Sequence, residues 1–103
     1  MKHLILTLAM ALILATPAMA EIDAHEVCSE FSSFAETVMT NRQNNIPMQA
    51  MMGTTESELL RSVIADAYSQ PRWSVPENRQ NAIHKFRDKW YLDCYKSFMR
   101  NKN

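Results

Sequence analysis

Apolar residues recur every three to four positions along most of the chain, and no stretch alternates strictly enough to make a half-buried strand. The first long pattern predicts a helix from about Asp23 to Asn44. Its stripe is Ala24, Cys28, Phe31, Ala35, Val38 and Arg42, widened by Val27 and Phe34. Asp23 can cap its start, with Glu26 three residues on, and Asn44, Asn45 and Pro47 stop it. Pro47 then suits the first position of a short helical turn carrying Met48, Met51 and Met52, which Gly53 ends.

A third helix is signalled by the capping box Thr55-x-x-Glu58. Leu59, Leu60, Val63, Ile64, Ala67 and Tyr68 form its apolar face, Arg61, Ser62 and Asp66 look outward, and Pro71 terminates it. Gln70 to Val75 is the main loop. Ser74-x-x-Glu77, with Pro76 between, opens a last helix to about Arg100. Along it Arg79, Ile83, Phe86, Trp90, Cys94 and Phe98 keep helical spacing.

The opening of the chain differs from all of this. Met1, Lys2 and His3 make a short positive segment, Leu4 to Ala15 carries no charge, and Ala18-Met19-Ala20 is a small-x-small triplet. These are the three parts of a secretory signal peptide, in order. The apolar run is shorter than the ~20 residues a membrane span needs. Residues 1–20 are therefore expected to be cleaved, leaving 21–103 as a single periplasmic or secreted domain without stable membrane insertion.

Export changes the meaning of the two cysteines. In an oxidising compartment, a pair in a small chain implies a disulfide, here Cys28–Cys94. That bond would set the two long helices antiparallel. From Cys28 to Asn44 is about 24 Å and from Cys94 back to Pro76 about 27 Å, so their far ends line up. The predicted fold is all-α. It is a small helical bundle of long antiparallel N- and C-terminal helices joined by a disulfide, with one or two shorter helices crossing them. His25-x-x-Cys28 could suggest a metal, but no second ligand pair accompanies it.

The formal net charge is zero, yet acidic groups gather before residue 67 and basic groups after it. In the antiparallel arrangement the acidic start of the first helix meets the basic end of the last. The halves are thus expected to neutralise each other within the fold rather than to bind nucleic acid.

Candidate chemistry is sparse. His25 and His84 stand outside any nucleophile or base motif, and a chain with one glycine has no Gly-rich phosphate loop. No enzymatic activity and no cofactor is expected. Met48, Met51 and Met52 could offer thioethers to Cu(I), but methionine at helical spacing is more ordinarily a flexible core filler. Arg72 and Trp73, set just after Pro71, are the best protein-binding candidates, since Trp and Arg are enriched at interface hot spots. The more ordinary alternative has Trp73 folding back to seal the end of the core.

The pattern Cys28-x-x-Phe31, Val38-Met39, Arg42-Gln43, Pro47, Met51-Met52, Ala67-Tyr68, Pro71-Arg72-Trp73, Phe86, Tyr91 and Cys94 resembles an uncharacterised family of small exported two-cysteine helical proteins of Gram-negative bacteria and their phages. The resemblance implies the same exported, disulfide-bonded helical layout and transfers no catalytic residue. In architecture alone the design is also similar to periplasmic acid-stress chaperones. The expected function is a non-enzymatic factor that binds an envelope or secreted protein, such as an inhibitor, immunity or phage exclusion protein. An acid-stress periplasmic chaperone and a small periplasmic copper-binding protein are the alternatives.

Overall fold

Asp23 starts the first helix as its side chain predicts, accepting a hydrogen bond from the backbone N–H of His25 at 3.0 Å. In the computed structural model, which describes residues 22–101, this helix is α1, Ala24–Gln43. The expected leader, residues 1–20, lies outside the described residues. Asn45 ends α1 by taking a left-handed φ of 65°. Its N–H donates to Arg42 O at 3.1 Å and that of Ile46 to Asn41 O at 3.0 Å, so the last carbonyls are satisfied in a Schellman motif.

Then come α2 (Met48–Met52), α3 (Glu58–Tyr68) and α4 (Pro76–Asn101), and no strand occurs among the described residues. Helices α1 and α4 pack along each other, joined by Cys28–Cys94 with a Cα–Cα distance of 5.6 Å. The buried core takes Ala35, Val38 and Met39 from α1, Met51 from α2, Val63, Ile64 and Ala67 from α3, and Ile83 and Phe86 from α4. Phe31 and Trp90 meet edge to face at 5.8 Å on the side of the core nearer the disulfide.

Several local expectations give way. Helix α3 starts two residues later than the capping box suggests. Ser57 is its cap, accepting from Leu60 N–H at 3.2 Å, whereas Thr55 accepts from Ser57 N–H at 3.1 Å inside the preceding turn. Leu59 is 57% exposed rather than on the buried face: it stands in the first turn of α3, and the buried residues of that helix begin at Val63. Asp66 turns inward and accepts from Trp90 Nε1 at 3.0 Å and from Lys89 Nζ, linking α3 to α4, while the backbone of α3 packs mainly on α1.

The antiparallel arrangement does bring the acidic start of α1 and the basic end of α4 to one end. No ion pair forms there among the described residues. The pairs between helices lie at mid-bundle, Glu36–Arg87 at 3.5 Å and Asp66–Lys89. Groups two turns apart on exposed surfaces interact weakly through water, so charge segregation alone does not create contacts.

Gly53 ends α2 where expected, but without using glycine's freedom: its φ is −71°, and an added Cβ would meet only Gln49 O and Ala50 O, at 3.6 Å. Gly53→Ala should therefore stabilise the protein by about 0.5 kcal/mol by restricting the unfolded chain. A urea melt reads this, and a loss of stability would mean that the α2–α3 turn needs conformations hidden from this geometry.

Candidate functional site

The loop between α3 and α4 is short, bracketed by Pro71 and Pro76, and must reverse the chain at the end of the bundle opposite the disulfide. A loop there cannot pair its backbone with a neighbouring strand, so side chains do it instead. Arg42 donates from both Nε and Nη2 to Gln70 O, at 3.1 and 2.9 Å. Gln43 donates from Nε2 to Pro71 O and accepts the Trp73 N–H at Oε1, each at 2.9 Å. Arg79 donates from Nε to Trp73 O at 2.6 Å. The backbone of Gln70, Pro71 and Trp73 is thus held by three side chains, two from α1 and one from α4.

The clamp is itself braced. Arg42 lies over the Tyr68 ring, 5.4 Å from its centroid, and Tyr68 OH donates to Ile46 O at 2.6 Å. Burial raises the Tyr68 pKa above the ordinary tyrosine value, with the Arg42 charge opposing. The hydroxyl therefore stays a donor through the physiological range. Gln43 is almost completely buried, and no buried side-chain polar atom lacks a partner among the described residues.

What the clamp leaves outside are two side chains. Arg72 is exposed, and Trp73 is 42% exposed. Trp73 does not join the core, contrary to the more ordinary expectation, because Gln43 and Arg79 fix its backbone at the rim. Its side chain borders an open groove of about 430 Å³. Met39, Pro71 and Phe86 supply apolar lining, and Asn78, Asn81 and Lys85 of α4 polar lining.

The other candidates lie apart from this loop. Cys28 and Cys94 are both used in the disulfide. Met51 is in the core, where Asn41 Nδ2 donates to its sulfur at 3.2 Å, Met52 packs against the core, and Met48 is exposed. Met51 and Met52 are thus core fillers, and Met48 is not. His25 Nδ1 is 2.8 Å from Tyr91 OH near the disulfide, and His84 is exposed beside a second cleft with Glu36, Thr37 and Thr40. Among the described residues no group of three His, Cys, Asp or Glu side chains converges in a way that could hold a metal ion. Among them, too, no helix is long and apolar enough to cross a membrane.

Sequence reasoning placed Arg42 and Arg79 on helical stripes but missed what they hold, and it missed Gln43. A signal was present: Ala35, Met39 and Gln43 step by four along one face, so the stripe ends on a polar side chain pointing at a proline-bearing loop. No protein-family model, curated protein or solved structure matches this chain.

Proposed function

We propose that this chain is an exported, non-enzymatic factor, periplasmic or secreted, that binds another protein through Arg72 and Trp73. The kinds of factor meant are an inhibitor, an immunity protein or a phage exclusion protein. One observation carries the reading: four backbone atoms of the loop are tied down by Arg42, Gln43 and Arg79, while the Trp73 ring stays half-exposed. A half-exposed indole on a fixed backbone loses little entropy on docking, which is what a binding anchor requires. The leader and the disulfide support an oxidising compartment.

The acid-stress reading draws no support from the ion pairs, which are few and lie away from the acidic start of α1. The copper reading would need Met51 to leave the core.

The test is capture from a periplasmic extract by the wild-type chain, by Trp73→Ala and by Leu59→Ala, whose side chain is exposed on α3. The specific partner should be retained by Leu59→Ala and lost with Trp73→Ala, with affinity falling roughly thirtyfold, as for a hot-spot tryptophan. Equal capture by both variants, with circular dichroism showing both folded, removes Trp73 from the contact.

A further inference from the structure

The groove beside Trp73 has a chemical bias that the loop alone does not reveal. Its apolar part is formed by Met39, Pro71, Phe86 and the Trp73 side chain. Its polar part contains amides and cations only. Gln70, Asn78 and Asn81 supply the amides, and Lys85 and Lys89 the cations, and no carboxylate lines it. Of the two cations, Lys89 is neutralised by Asp66, which also accepts from Trp90, while Asp88 pairs with Arg87 at 3.0 Å. Lys85 is exposed and has no ion pair among the described residues. Asn78, Asn81, Lys85 and Lys89 follow each other at three- and four-residue steps, so one face of α4 presents a row of donors along the groove. Exposed Arg72 adjoins Trp73 in the chain and does not line the groove.

We infer that this groove takes an acidic peptide segment of the partner. A large apolar or aromatic residue of that segment sits against Trp73, and its neighbouring carboxylates face Lys85 and the amides of α4. The inference rests on the protein-binding reading and adds the chemistry of what is bound. An apolar floor with a one-signed polar wall discriminates by charge. A basic segment meets the unpaired charge of Lys85, whereas an acidic one gains charge-assisted hydrogen bonds there in a partly desolvated site.

The experiment is selection from a random peptide library on the intact oxidised chain, with Trp73→Ala protein as the counter-selection. Enriched peptides should carry aspartate or glutamate beside one large apolar residue. A fluorescent copy of the most enriched peptide should bind Lys85→Glu about tenfold more weakly than wild type, and should lose affinity steeply as salt rises. Trp73-dependent peptides without acidic bias, or with affinity indifferent to Lys85→Glu, overturn the inference and leave the loop reading standing. Partner capture that ignores Trp73 overturns the loop reading itself. Vesicles containing phosphatidylglycerol serve as the competing probe. Binding to them that needs both Trp73 and Lys85, with no peptide enriched, replaces the acidic peptide by an anionic lipid surface.

Discussion

Replacing Cys28 and Cys94 together by serine should lower the free energy of unfolding by about 4 kcal/mol, the loop-closure value for a crosslink spanning so many residues. The bridge joins positions 66 apart, so it encloses most of the four-helix domain. Small domains have roughly 5–15 kcal/mol in total, and a loss of this size lowers the melting temperature by roughly 15–30 °C. Local packing offers little replacement. The buried cluster begins at Ala35 on α1 and ends at Phe86 on α4, with Phe31 and Trp90 at its edge. Beyond that edge Val27, Leu92, Tyr95 and Met99 are exposed, and the His25–Tyr91 hydrogen bond is the polar tie between the helices there. Thermal melts by circular dichroism, with the wild type measured oxidised and reduced, provide the check. The reduced wild type should behave like the serine variant. Hydrogen exchange should show the first turns of α1 and the last turns of α4 losing protection before the core. A melting temperature within a few degrees of the oxidised protein would mean that helix packing alone holds this end.

The two long helices and their pairing were legible because three separate signals agree on them: stripe period, cap and stop residues, and the position of each cysteine relative to its helix end. The antiparallel order follows from the disulfide alone once export is granted. The local errors arose where two residues of one type compete. Thr55 and Ser57 can both cap a helix, and the choice shows only in the folded turn, where Thr55 accepts from Ser57 N–H and its carbonyl from Arg61 Nε, leaving Ser57 as the cap. The outward assignment of Asp66 failed for a related reason. A carboxylate is read as solvent-facing unless its partner is known, and Trp90 and Lys89 lie on another helix. The site was half legible. Composition singled out Arg72 and Trp73, but whether an indole is buried or presented depends on what holds its backbone. That is a long-range matter, between residues 28 or 30 positions apart. The groove lining was illegible for the same reason, since Met39 and Lys85 become neighbours of Trp73 only through the fold.

Gln43→Leu is the substitution that separates a held loop from a merely exposed one. Leucine keeps most of the buried volume and removes both functions of the amide. Pro71 O then loses its donor and the Trp73 N–H its acceptor, in a place that Gln43 now shields almost fully from water. Each orphaned group costs about 1–3 kcal/mol if it stays buried, so the loss should be about 2–4 kcal/mol, relieved to the extent that the loop lifts off and lets water in. Lifting off is itself observable. The Trp73 backbone amide should be protected from hydrogen exchange in the wild type and exchange quickly in the variant, while amides of the core residues Val38 and Ile64 change only with global stability. On the proposed protein-binding reading, binding should weaken as well, although neither Arg72 nor Trp73 has been altered, because a loosened loop must be ordered again on docking. If Gln43→Leu matches the wild type in stability and Trp73 keeps its protection, the arginines alone hold the loop. If the amide is deprotected and the affinity of any captured partner is unchanged, the proposed anchoring by Trp73 does not depend on a rigid backbone.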